Sequence, residues 1–227
     1  MKNLSLFYLL FLTHVGALFG APPPIKAVVF DFGGVVASVD RTQLINFMKE
    51  SFPISDEEAN HLLQAWAIHL RKEKDEMQFW EKYASSVNMQ LPPHWLSRFH
   101  QIQACALQAI PETLQAIFKL KEQGYLVALL SNVTKEHAAI IRSLGYYTLF
   151  QPTLLSYQIG VRKPNPKAFK ILLEELCFPP EQILFIDDQN ANVRAAEKFG
   201  IRGIHFIHPE KLEAELQNQG IYLNCLN

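Results

Sequence analysis

Residues 27–36 read Ala27-Val28-Val29-Phe30-Asp31-Phe32-Gly33-Gly34-Val35-Val36. Four apolar residues in a row make a buried strand, and the two glycines let the chain turn as soon as the strand ends. Asp31 stands between them. In an open α/β sheet the crevice at the carboxyl ends of the strands is where ligands bind, so a carboxylate at this point is a candidate for chemistry. The competing reading is that Asp31 only caps the turn, as aspartate often does after a strand.

Downstream the chain offers three more strand ends of the same kind. Pro111 opens and Gly124 closes a helix, and the apolar run Leu126–Leu130 that follows it stops at Ser131-Asn132. Thr134 caps a helix that runs to about Gly145. A short strand at Thr153–Leu155 leads into Gly160-Val161-Arg162-Lys163-Pro164-Asn165-Pro166, and Pro166 starts another helix. Ile183–Ile186 is a strand ending on Asp187-Asp188, followed by a helix to Gly200 and a last strand through Ile204 and Ile207. Strands alternating with helices imply parallel β-α-β units, and hence a doubly wound parallel sheet of the Rossmann kind.

The strand ends of a parallel sheet point the same way, so Asp31, Ser131, Asn132, Lys163, Asp187 and Asp188 converge on one crevice. Carboxylates are hard oxygen ligands suited to Mg2+. A lysine and a hydroxyl can neutralise and hydrogen-bond phosphate oxygens, and an aspartate can attack phosphorus. Together these groups form a set fitted to phosphoryl transfer.

Between the first strand and Pro111 the pattern is helical. Ser55 and Glu58 have the spacing of a capping box ahead of Leu62, Leu63, Trp66 and Leu70. Asp75 can cap a second helix carrying Met77, Phe79, Trp80, Tyr83 and Val87. After Pro92-Pro93 a third runs through Trp95, Leu96, Phe99, Ile102 and Leu107. No strand is expected from Asp40 to Leu107, and the aromatic stripes read as the core of an inserted bundle. His61, His69, His94 and His100 share no metal-ligand spacing and are assigned solvated or capping roles.

These segments resemble the motifs of the haloacid dehalogenase superfamily from about Ile25 onward. Phe30–Val36 is similar to its first motif, Leu129–Asn132 to its second, Arg162–Pro166 to its lysine motif and Phe185–Asn192 to its acidic fourth motif. The resemblance implies that Asp31 is the nucleophile and a metal ligand. It adds the backbone carbonyl of Gly33 and Asp188 as further ligands of Mg2+, with Asp187 assisting directly or through water. Ser131, Asn132 and Lys163 would hold the transferring phosphoryl group. The insert resembles the all-helical cap of sugar-phosphate phosphatases and of the N-terminal phosphatase domain of epoxide hydrolase. The implied layout is an α/β core at 22–38 and 108–227, with a helical cap at 39–107.

One departure matters. Phosphatases of this superfamily usually carry a second aspartate two residues after the nucleophile as general acid and base, and Gly33 stands there. A missing acid or base typically costs about 10²–10⁴ in rate. Asp40 is a candidate substitute, set against an N-cap role for the helix starting at Arg41. The leading expectation is a Mg2+-dependent phosphomonoester hydrolase acting through an aspartyl phosphate on a small phosphorylated metabolite. A metal-independent haloacid dehalogenase would tolerate Gly33, but holding Asp187-Asp188 together without a cation is costly. A slow phosphate-binding or regulatory module is the third reading, weakened by the retained Asp31 and Lys163.

The composition fits this picture. With 227 residues, 49% of them hydrophobic, the chain can bury a core with room for an insertion. A net charge of -1 argues against a nucleic-acid surface and against strong attraction to anionic membranes. Cys105, Cys177 and Cys225 are far apart, which suits buried or free thiols better than a disulfide or metal framework. Residues 1–21 are set apart as a signal peptide and spacer. Lys2, the run Leu4–Leu12, apolar except for Ser5, and the small residues Val15 and Ala17 predict cleavage after Ala17, or after Ala21 less favourably. The protein is then secreted or periplasmic; a retained segment would leave it cytoplasmic or anchored. Thr13 and His14 interrupt the apolar run well short of the ~20 residues a stable membrane span needs. Nothing in the sequence sets an oligomeric state.

Overall fold

The computed structural model describes residues 23–72 and 75–223. The predicted signal peptide and Cys225 lie outside the described residues. Five parallel strands form the central sheet: β1 (Ala27–Phe30), β4 (Leu126–Ser131), β5 (Thr153–Leu155), β6 (Ile183–Asp187) and β7 (Arg202–His205), in the order β5-β4-β1-β6-β7. The quoted stretch therefore supplies the central strand, with Val28 between Val127 and Leu184. The two faces of β1 feed different cores. Val28 and Phe30 pack with Ile117 and Leu120 of α5 (Pro111–Glu122), and with Leu212 and Leu216 of α10 (Leu212–Asn218). Ala27 and Val29 pack with Phe169, Leu172 and Leu176 of α8 (Pro166–Leu176), and with Ala196 of α9 (Asn190–Glu197). Alternate residues of a strand face opposite sides, and with helices on both sides every one of them is apolar.

The insert comprises α1 (Arg41–Ser51), α2 (Asp56–Leu70), α3 (Glu76–Ser86) and α4 (Trp95–Ala106). It has a core of its own around Phe47, Trp66, Trp80, Trp95 and Phe99. The aromatic stripes are thus core, as their spacing predicts. Both expected caps of the bundle form: the Ser55–Glu58 capping box on α2 and Asp75 at the head of α3.

Three expectations need correction. Strands β2 (Ala37–Val39) and β3 (Leu107–Ala109) pair antiparallel where the chain leaves and re-enters the sheet domain, so Leu107 belongs to a strand and not to the third helix. The pairing is driven by the two crossings running side by side, sealed by Asp40 N–H to Ala106 O at 2.8 Å and Ile110 N–H to Val36 O at 2.9 Å. Three residues are too few to show a period in the sequence. Second, the last strand stops at His205, and Ile207 lies beyond it, exposed. Third, His100 is not a cap, and though its side chain is 35% exposed it is more than solvated: its Nε2 donates to Glu76 at 2.8 Å, and Glu76 is buried and also accepts from Trp66 Nε1 at 2.9 Å. Among the described residues no helix is long and apolar enough to cross a membrane.

Candidate active site

Asp31 follows the last residue of β1 and is buried at the strand end. The turn behind it depends on glycine at one position only. Gly34 has φ +78°, and a Cβ there would lie 2.7 Å from Asp188 Oδ2, so any side chain would be strained and would collide. Gly33 has ordinary φ and open space where its Cβ would be. Glycine at 33 is therefore not demanded by the backbone.

Lys163 is the hub. Its Nζ lies 2.8 Å from Asp31 Oδ1 and 2.7 Å from Asp187 Oδ2, with its side chain almost wholly buried and the ammonium 5.2 Å from the Phe185 ring centre. The chain around it is fixed by Asn132. The Asn132 amide donates to Lys163 O and accepts from Lys163 N–H, both at 2.8 Å, across 31 residues of sequence. Ser156, at the start of the short helix α7 (Ser156–Ile159), adds a second tie by exchanging hydrogen bonds with the backbone of Val133.

Asp187 ends β6 and is fully buried. Its Oδ1 accepts from Gln189 N–H at 2.8 Å and from Asn192 Nδ2 at 3.0 Å, while Oδ2 takes the lysine. Asp188 is more exposed, and its Oδ2 accepts from Gln189 Nε2 at 3.0 Å. Carboxylate oxygens of Asp31, Asp187 and Asp188 lie within 4.8 Å of one another. Burial pushes the Asp31 carboxyl above its ordinary value, against the pull of the Lys163 ammonium, and Asp187 pushes it the same way as burial. Three carboxyl groups faced by one ammonium form a largely buried cluster with more acidic groups than cations. The donor set, hard oxygens only, is what a small divalent cation requires.

Ser131 ends β4, is buried, and lines a cleft of about 290 Å³ together with Gly33, Asn132 and residues of the insert. His137 of α6 (Lys135–Ser143) also lines it, edge-on to Trp66 at 5.0 Å between ring centres. Burial holds the His137 imidazole below its ordinary value, so it is neutral at pH 7. Asp40 does not line the cleft. It caps α1, accepting from Thr42 N–H at 3.0 Å and from Gln43 Nε2 at 3.1 Å, and these bonds hold its carboxyl low.

Of the residues singled out in the sequence, Asp31, Lys163, Asp187 and Asp188 form one cluster, with Ser131 and Gly33 beside the cleft. The Asn132 side chain is committed to the Lys163 backbone. Sequence reasoning did not single out Asn192 or His137. Asn192 alone has a usable signal, since it lies five residues after Asp187 and so within reach along the first turn of α9.

A family model described as haloacid dehalogenase-like hydrolase matches residues 25–200, and the chain belongs to that family of hydrolases. It is 25% identical over 205 residues to the glyceraldehyde 3-phosphate phosphatase of Methanothermobacter thermautotrophicus, covering 84% of this chain and 89% of that one. It is also 25% identical over 193 residues to the D-ribitol-5-phosphate phosphatase of Bacteroides thetaiotaomicron, covering 78% and 89%. The matched segment is shorter in other relatives, 57% and 45% of two further archaeal enzymes named as glyceraldehyde 3-phosphate phosphatases. Among solved structures, a family enzyme of Bacteroides thetaiotaomicron in complex with magnesium and inorganic phosphate superposes with a TM-score of 0.64 at 25% identity, over 79% of this chain and 93% of that one.

Proposed function

We propose that this protein is a Mg2+-dependent phosphomonoesterase that works through a phosphoryl group carried on Asp31. The observation that carries the reading is the trio Asp31, Asp187 and Asp188, with oxygens within 4.8 Å of one another and a single ammonium between two of them. Asp31, Asp188 and the Gly33 carbonyl would hold the cation, with Asp187 acting on it directly or through water. When bound, Mg2+ supplies the positive charge that balances the carboxylates and the phosphoryl oxygens. The magnesium and phosphate held by the Bacteroides relative, and the phosphatase names of the others, support the assignment.

In the first step an Asp31 carboxylate oxygen attacks phosphorus, the bond from phosphorus to the leaving oxygen breaks, and the alcohol departs with a proton from water. Lys163, oriented by Asn132 and Asp187, neutralises a phosphoryl oxygen, and Ser131 donates to another. In the second step water attacks phosphorus, the bond to Asp31 breaks, and phosphate leaves with the carboxylate restored. The four-helix insert covers the site as a cap, and its face on the cleft selects the leaving group. The trio weighs against a metal-free dehalogenase, since without a cation it keeps its excess negative charge.

The test is phosphate release from an aryl phosphate with Mg2+ and with excess chelator, in native protein and Asp31→Asn. Release only with Mg2+, abolished in the variant, is expected. Undiminished release in chelator would overturn the proposal.

A further inference from the structure

The two adjacent aspartates at the end of β6 are held very differently. Asp187 Oδ1 accepts from Gln189 N–H at 2.8 Å and from Asn192 Nδ2 at 3.0 Å, and its Oδ2 accepts from Lys163 Nζ at 2.7 Å and from Asn192 Nδ2 at 3.1 Å. A carboxylate offers about four lone-pair positions, and these four contacts occupy them. The residue is fully buried, so no face of it is left toward solvent. Asp188 is half-buried and accepts once, on Oδ2 from Gln189 Nε2; among the described residues its Oδ1 meets no donor. Both belong to the carboxylate trio, yet of the two only Asp188 has an oxygen to offer a cation without losing a bond.

An ammonium carries three N–H donors. Those of Lys163 meet Asp31 Oδ1 at 2.8 Å and Asp187 Oδ2 at 2.7 Å, which leaves one for a phosphoryl oxygen. The aim of that third donor depends on Asp187 not turning, and Asn192 bridges both Asp187 oxygens from the first turn of α9. Asn192 is itself fixed there, 5% exposed, with its backbone N–H on Gln189 O at 2.9 Å. Resting on the phosphatase reading above, we infer that Asp187 stays off the cation and is the positioning residue of Lys163, and that Asn192 is a second positioning residue that locks Asp187 in that task. Mg2+ demands oxygens at about 2.0–2.1 Å in near-octahedral array. To supply one, Asp187 would have to release a donor of Gln189, Asn192 or Lys163, and a buried donor left unpaired is costly. Asp187 therefore acts on the phosphoryl group through the Lys163 ammonium, not through contact with the ion.

The test compares native protein with Asn192→Leu, which keeps the size of the side chain and removes its donor. Mg2+ binding is measured by calorimetry, and kcat with saturating 4-nitrophenyl phosphate and Mg2+, well below both melting temperatures. Misdirecting Lys163 should lower kcat by about 10–100-fold, while the Kd for Mg2+ stays within about threefold. If Asp187 were a ligand, loss of its hydrogen-bond partner would weaken Mg2+ binding by about 10–100-fold, and that result, whatever kcat does, overturns the inference. So does a native kcat in a variant whose melting temperature alone has fallen, because Asn192 would then be structural only. Should Asn192→Leu fail to fold, a crystal structure of the native protein with Mg2+ decides. Asp187 keeping its four contacts supports the inference, and an Asp187 oxygen at about 2.0–2.1 Å from the ion contradicts it. Under each of these results the phosphatase reading stands. Native protein that neither binds Mg2+ nor releases phosphate from the aryl ester overturns both.

Discussion

Replacing Lys163 with methionine keeps most of the side-chain stem and removes the ammonium standing 2.8 Å from Asp31 and 2.7 Å from Asp187. Buried Asp31 and Asp187, with half-buried Asp188, would then face one another with no counter-charge. Removing one partner of a buried ion pair typically costs about 3–5 kcal/mol. For a chain of this size each kcal/mol lowers the melting temperature by about 2–4 °C, so a fall of roughly 6–20 °C is expected in chelator. The relief open to the variant is proton uptake by Asp31, which burial already favours in the native protein. A carboxyl raised above its unfolded value binds more protons in the folded state, so the variant's stability should fall as pH rises through that folded value. Mg2+ offers the other relief. At about 100 times its Kd a ligand adds about 2.7 kcal/mol, and the more negative variant site should bind Mg2+ more tightly than the native one and so recover part of the difference. Thermal and urea unfolding followed by circular dichroism, in chelator and in Mg2+, measures all of this. A loss below about 1 kcal/mol in chelator, or a loss no smaller in Mg2+, would show that the cluster is not balanced by charge in the way described.

Other expectations concern separate parts of the molecule. Gly33→Asp should fold, since its backbone angle is ordinary and the space is open. It should raise kcat/KM for alkyl phosphates by up to about 10²–10⁴ but aryl phosphates far less, because only the alkoxide needs a proton. Equal gains for both would mean that the acid is already supplied elsewhere. His100 is raised by its hydrogen bond to Glu76, so its stabilisation is complete below the ordinary histidine value and lost as pH rises through the folded value. The stability gap between native protein and His100→Asn should therefore shrink as pH rises from the ordinary histidine value through the higher folded one, and a gap independent of pH would refute the ion pair. The export proposal predicts a mature chain from the native host that begins at Leu18 or, less favourably, at Pro22, read by N-terminal sequencing; intact Met1 on cytoplasmic protein would refute it.

Much of the sheet was legible because β1, β4 and β6 are buried apolar runs that stop on a polar group. Asp31, Ser131 and Asp187 mark the ends of β1, β4 and β6 within a residue. The caps at Ser55, Asp75 and Thr134 were legible for a different reason, since a cap and its partners are neighbours in sequence. What escaped was set by partners far away. Nothing near Asn132 announces that its amide will clamp Lys163, 31 residues on, nor that His100 will meet Glu76, 24 residues back. Helix α10 shows only Leu212 and Leu216 at helical spacing, too short a pattern to separate from a loop.

The central claim, that Asp31 carries the phosphoryl group with the help of Mg2+, is tested most directly by trapping. The protein is mixed with a 32P-labelled aryl phosphate in Mg2+, quenched in acid within one turnover, digested, and the labelled peptide sequenced. The account predicts label on the peptide containing Asp31, released by hydroxylamine as expected of an acyl phosphate, and absent in Asp31→Asn and in excess chelator. Label on another residue, or full turnover by Asp31→Asn, would contradict it.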